Sequence, residues 1–388
     1  MKDVVDRITS VCIVIVLALS FFWAIVHPDD INLYENRTAV KLTFPQFSDF
    51  FSGAYQSTFD EALADQIPMA QTGKRIYNEF TVGQMYRVAK PLMEKNPNRY
   101  VYLKNDIFLF QDHLVSPPDA DYERVMTSRV KNINSFACSY PELDFYAFYV
   151  CTEHDYDFEQ NKPCRFPDEL KERINTDRVA FASLNNDGFE VFDKYFYQTD
   201  HHWNAFGSYL GYCLLTDLLN IPPSERLIPV ETVDTGRIMV GSKGKMMGVF
   251  DLFGEDFIVS RFDFPEMDIA VNGTPGEYGG GDRFLNDPGA EMSYAGYYGD
   301  DCGETVFDTH REGEKDRILI IGDSYDNAVI KLLACHFDKT FSVDLRNFER
   351  ENGHPFHFSE YVKENGITKV LFIGGYAYYT LDDFNMED

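Results

Sequence analysis

The sequence predicts an α/β fold: a parallel sheet flanked by helices. Three observations carry that expectation. Between residues 317 and 373, short apolar runs (RILII at 317–321, a run at 340–345, KVLFI at 369–373) alternate with helical patterns at 327–337 and 358–365. The runs are almost continuously apolar, as strands buried on both faces must be. A further aromatic run, LDFYAFYV at 143–150, follows a helical pattern over 121–136. Strand–helix alternation of this kind favours a parallel sheet, because a parallel connection needs a crossover helix.

The other elements are read in chain order. A helical stretch is expected near 53–63. The cluster Asn185-Asn186-Asp187-Gly188 is a turn signal, and residues 189–192 are expected to form a short strand after it. That cluster lacks the later ligands of a calcium loop. Residues 204–219 carry Phe206, Leu210, Cys213, Leu214 and Leu218 at helical spacing. A glycine-rich, acidic stretch comes next, at about 220–314, including Gly279-Gly280-Gly281. Within it, Gly241-Ser242-Lys243-Gly244-Lys245 is not a phosphate-binding loop: the first glycine is too close and no clear strand precedes it.

The 388 residues are 44% hydrophobic and 15% aromatic, which excludes a disordered or fibrous chain. Against 35 basic residues stand 63 acidic ones, a formal charge of −28. Such a chain repels phosphate polymers, so no nucleic-acid partner is expected.

Residues 8–26, ITSVCIVIVLALSFFWAIV, contain no charge. At about 1.5 Å per residue, a helix of that length nearly spans a hydrocarbon core of roughly 30 Å. Lys2 and Arg7 precede the run and the next arginine or lysine after it is Arg37. The positive-inside rule therefore puts the N-terminus in the cytoplasm and the rest outside, as a single-pass protein of the cell membrane. A cleaved signal peptide is the competing reading, although no small-residue cleavage site follows Ala24. The expected organisation is a stub and anchor at 1–27, a lead-in at 28–95 packing on the catalytic domain, and that domain at 96–388 with an insertion at about 220–314. An extracellular location permits disulfides, and Cys151 with Cys164 would close a short loop. Cys213 and Cys335, on apolar helical faces, read as plain buried thiols.

Chemistry concentrates in two segments. Ile321-Gly322-Asp323-Ser324-Tyr325 lies at a strand-to-helix turn. A serine there points into the crevice above a parallel sheet, beside N–H groups suited to an oxyanion. The alternative is that Asp323 or Ser324 simply caps the helix. The second segment, Gln198-Thr199-Asp200-His201-His202-Trp203-Asn204, offers what a serine needs: a histidine as base and a carboxylate to fix its tautomer. Two other readings stand beside the triad, a metal held by His201, His202 and an aspartate, and a structural histidine pair bonded to backbone.

The two segments together resemble the DHHW protein family, named for the Asp200-His201-His202-Trp203 run. Its members are SGNH-hydrolase-like and similar to the alginate O-acetylation enzymes AlgJ and AlgX. Supporting marks are Glu35-Asn36-Arg37, Phe44-Pro45, Asp65 with Pro68, Gly322-Asp323-Ser324-Tyr325 and Asp344-Leu345-Arg346. The resemblance implies that Asp200 orients, His202 is the base and Ser324 attacks, with His201 at a variable position. Trp203, Tyr325 and His201 would line the substrate side, and the Ser324 backbone N–H would serve the oxyanion. The Gly-x-Asn-Asp block that commonly supplies an SGNH oxyanion donor does not occur.

The apolar run and the resemblance together imply a membrane-anchored, extracytoplasmic O-acyltransferase or acyl esterase. It would act on a cell-surface polysaccharide without metal or cofactor. A multipass membrane O-acyltransferase would be its acyl donor. Two alternatives are a catalytically inactive glycan-binding or assembly component of an envelope polysaccharide system, and a metal-dependent hydrolase.

Overall fold

The computed structural model describes residues 2–29, 31–32, 37–43, 54–118, 123–174, 177–311 and 316–380. Tyr34, Glu35, Asn36, Phe44 and Pro45 lie outside them, as do the first residues of the expected helices at 53 and 121. The chain divides into two compact units, residues 1–95 with 242–253, and residues 96–241 with 254–388.

In the first unit a 25-residue helix, Lys2–Val26, contains the apolar run. Its Arg7–Val26 portion is long and apolar enough to cross a membrane and is almost entirely exposed. Helices Ala54–Gln66 and Ala70–Lys95 come next. Two buried side chains tie the preceding segment down. Asp65 accepts the Val40 N–H at 2.9 Å, and the Gln66 amide donates to the carbonyls of Asp29 and Val40, both at 3.0 Å. Residues 242–253 join this unit by packing, with Phe253 edge-on to Tyr86 at 5.3 Å. The Gly-Ser-Lys-Gly-Lys segment is thus an ordinary short helix, Ser242–Met247.

The second unit is built on an eight-stranded sheet ordered 274–275, 268–271, 304–308, 339–343, 317–322, 369–374, 144–150, 179–184. The last five strands are mutually parallel, and the first three add an antiparallel edge. Ile318 to Ile321 and Val370 to Ile373 are completely buried, matching their unbroken apolarity. A core lies on each face. One is built around Phe148, Trp203, Tyr212 and Leu333, the other around Phe145, Phe166, Phe358 and Phe372. The fold is therefore α/β with a parallel-rich sheet between helices.

Several expectations need correction. Residues 189–192 belong to a helix, Phe189–Tyr195, and the strand is Val179–Leu184 before the turn. Phe189, Phe192 and Phe196 recur at helical spacing, and Phe192 stacks on Phe196 at 4.7 Å. The helix expected over 327–337 is a 3-10 turn, Asp326–Ala328, and a short helix, Ile330–Ala334. Cys151 and Cys164 are both free thiols, as is every other cysteine. Within the glycine-rich stretch, Glu231–Met239 and Glu255–Arg261 form a hairpin, and 268–271, 274–275 and 304–308 form the antiparallel edge of the main sheet.

Candidate active site

The Arg317–Gly322 strand lies between 339–343 on one side and 369–374 on the other. The chain thus leaves it in one direction and later returns on the opposite side, a switch point at which a crevice opens beyond the strand's carboxyl end. Ser324 sits there. Its turn is tied by the Asp323 carboxylate, which accepts the Tyr325 N–H at 3.1 Å and the Gly375 N–H at 3.4 Å. Burial pushes the Asp323 carboxyl up to about 6, and the Arg346 charge opposes that rise. Gly322 has to be glycine, because a Cβ there would lie 2.3 Å from Asp326 Oδ2.

The second segment is a loop between helices Phe189–Tyr195 and Ala205–Leu218. A bridge between Phe196 and Trp203 closes it, with Tyr197 N–H donating to the His202 carbonyl at 3.1 Å. Asn204 caps the next helix, its side chain accepting from the Phe206 and Gly207 N–H groups. At the other end Glu255 accepts from the Gln198 and Thr199 N–H groups at 2.8 Å and from the Thr199 hydroxyl at 2.7 Å. Burial raises the Glu255 carboxyl to about 7. Gly241 packs so closely that a Cβ would come within 2.5 Å of Asp200 Cβ.

These supports bring together residues 122 positions apart. His202 Nε2 lies 2.7 Å from Ser324 Oγ, and His202 Nδ1 lies 2.6 Å from Asp200 Oδ1. Asp200 and His202 are buried, and the Asp200 carboxylate also accepts the His202 N–H at 3.1 Å. With Nδ1–H donating to the carboxylate, Nε2 is left to accept the serine proton.

Asp200, His201 and His202 could in principle offer three donor atoms to a metal. Ligands on a tetrahedral ion at about 2.1 Å stand roughly 3.4 Å apart. The 2.6 Å separation of Nδ1 from Oδ1 is instead a hydrogen bond, and Nε2 faces the serine.

The remaining expected residues fall in different places. His201 has a side chain 41% exposed at the surface of the site. Tyr325 is buried and donates from its hydroxyl to the His201 carbonyl at 2.6 Å. Trp203 has no exposed surface, so the expectation that it contacts substrate is corrected; its indole N–H donates to the Tyr294 hydroxyl at 3.1 Å. No described group accepts the Ser324 N–H.

Sequence reasoning missed Glu255, Gly241 and Tyr294. All three come from the stretch in which element boundaries were least legible. It also missed Asp301, which pairs with Arg346 at 2.9 Å and accepts from Asn327 at 2.9 Å. Arg346 also holds Asp344 at 2.6 Å, so Asp344 and Arg346 of the Asp-Leu-Arg mark form an ion-pair network beside the nucleophile's strand.

No family model matches the sequence, and no curated protein matches it by sequence. Solved structures do resemble it. PatB1 from Bacillus cereus superposes with a TM-score of 0.56 at 19% identity, covering 74% of this chain and 100% of that one. PatB1 with a sulfonyl adduct gives 0.56 at 20%, covering 73% and 100%. A DHHW family protein from Eubacterium siraeum gives 0.53 at 17%, covering 73% of this chain and 94% of its own. The chain therefore has an α/β fold similar to those of PatB1 and a DHHW family protein.

Proposed function

We propose that the protein is a serine acyl-transfer enzyme, an O-acyltransferase or acyl esterase acting on a cell-surface polysaccharide. The observation that carries the reading is the continuous path from Ser324 Oγ through His202 to Asp200, at 2.7 Å and 2.6 Å. A serine hydroxyl is a weak nucleophile until a base removes its proton, and His202 is within reach to do so. Ser324 Oγ would attack the acyl carbonyl carbon as its proton passes to His202 Nε2. The Ser324 N–H would stabilise the oxyanion. Collapse would expel the donor's oxygen or sulfur, protonated by His202, and leave an acyl-serine. A sugar hydroxyl or water, deprotonated by the same imidazole, would then take the acyl group.

The Arg7–Val26 helix supports a membrane anchor, and Lys2 and Arg7 at its start support a remainder outside the cytoplasm. The polysaccharide as acceptor, and a multipass membrane O-acyltransferase as donor, extend the DHHW resemblance to this chain. The alternative of an inactive glycan-binding component predicts saccharide binding with no acyl-serine.

The test is turnover of p-nitrophenyl acetate by the full chain in detergent, with mass spectrometry of the Ser324 peptide. Ser324→Ala is expected to abolish p-nitrophenol release and the acyl adduct while leaving the thermal transition in place. Unchanged turnover would refute the reading.

A further inference from the structure

His202 is held at its two nitrogens by Asp200 and Ser324, but neither bond stops the ring from tilting out of plane. Tyr294 covers one imidazole face in a parallel stack, with centroids 4.0 Å apart and planes 5° apart. The other face meets His201, tilted by 37° at 3.9 Å. Tyr294 is buried and its hydroxyl is fully engaged. It accepts the Trp203 indole N–H at 3.1 Å and the Ala328 N–H at 3.3 Å, and donates to the Tyr325 carbonyl at 3.4 Å. Trp203 is itself locked. A Cβ on Gly211 would lie 2.4 Å from its ring, so the helix after the loop is notched to receive the indole.

From this arrangement we infer that Tyr294 is a positioning residue for the base and that Trp203 anchors it. The inference deepens the triad reading and rests on it. It gives the tryptophan of the Asp-His-His-Trp run a task, which is to hold the ring that holds the histidine. It also brings the short helix Tyr294–Tyr298, from the glycine-rich part of the chain, to the site. A flat aromatic face fits the inference twice over: it fixes the plane of the imidazole, and it favours the imidazolium formed during attack.

The test uses the full chain, p-nitrophenyl acetate turnover and the rate at which phenylmethylsulfonyl fluoride modifies Ser324. Tyr294→Met fills the space without a flat face. It is expected to lower kcat and the sulfonylation rate together by about 10-fold or more, with KM within about 2-fold, since general-base help is typically worth 10²–10⁴. Tyr294→Phe keeps the flat face but loses the hydroxyl that Trp203 holds, and is expected to fall between Tyr294→Met and the unaltered chain. Equal rates for Tyr294→Met and the unaltered chain, or a change confined to KM, overturn the inference. If Tyr294→Met does not unfold cooperatively, Trp203→Phe decides. A fall in kcat at constant KM supports the anchor, and unchanged kcat and sulfonylation overturn it. An unaltered chain that neither turns over the ester nor takes the sulfonyl group would remove the triad reading and this inference together. Normal reactivity in both the unaltered chain and Tyr294→Met would remove this inference alone.

Discussion

The two halves of the candidate site are held by different means. The nucleophile's turn hangs from a completely buried parallel strand, so its position follows from the sheet itself. The loop carrying acid and base touches no strand of that sheet by backbone pairing. It is held by its own backbone bridge, by the Leu114 N–H donating to the Gln198 carbonyl at 2.8 Å, and by side chains: Asn204 capping the next helix, Glu255 gripping its start, Trp203 wedged into a notched helix. A site of this design can lose its base without losing its fold, whereas damage at the nucleophile's turn reaches the central sheet.

Asp200→Asn would sharpen that contrast most. It is expected to lower kcat by roughly 10³–10⁴-fold, because the amide stabilises the wrong imidazole tautomer, with little change in Tm. Ester turnover and thermal melting, measured side by side, decide it. A loss of Tm equal to that of a core substitution would break the contrast.

A second comparison pairs two glycines. Gly322→Ala places a methyl 2.3 Å from Asp326 Oδ2 under the central strand, and Gly241→Ala places one 2.5 Å from Asp200 Cβ at the loop. Overpacking of this kind typically costs about 1–3 kcal/mol. Chemical denaturation is expected to show the larger loss for Gly322→Ala, and ester turnover per folded molecule the larger loss for Gly241→Ala. The reverse order would sink the distinction.

A last comparison concerns pH. Burial raises the Glu255 carboxyl from 4.5 to about 7, so between those values the folded chain keeps a proton that the unfolded chain has lost. Stability from this group is therefore fully present below the lower value and is lost as pH rises through the upper one. Asp155, raised to about 7, and Asp323, raised to about 6, act in the same direction. The denaturation midpoint is expected to fall between about pH 5 and pH 7.5, and Glu255→Gln to flatten part of that fall. An unchanged slope in the variant would show that the loop does not depend on this carboxyl.

Legibility followed the same division. The strands at 317–322, 369–374 and 144–150 announced themselves, since a strand buried on both faces has nowhere to put a polar residue. Ser324, His202 and Asp200 were legible as two short segments that occur in one chain. The Phe189–Tyr195 helix was misread, because four apolar and polar residues after a turn fit a strand as well as one turn of helix. Tyr294 gave no signal at all. It is one tyrosine among 24, and nothing local marks the one that will meet a histidine 92 positions earlier.

Local chemistry alone, then, indicated four of the five parallel strands and the apolar N-terminal helix, and singled out the two segments that hold Asp200, His202 and Ser324. Those depend on periodicity, on run length and on which side chains can exchange protons. Only the tertiary structure decided that Tyr294 faces His202, that Trp203 is buried and bonded to the Tyr294 hydroxyl, and that residues 268–308 complete the sheet edge. Such contacts join segments far apart in the chain, and their energy exists only once the intervening residues have packed.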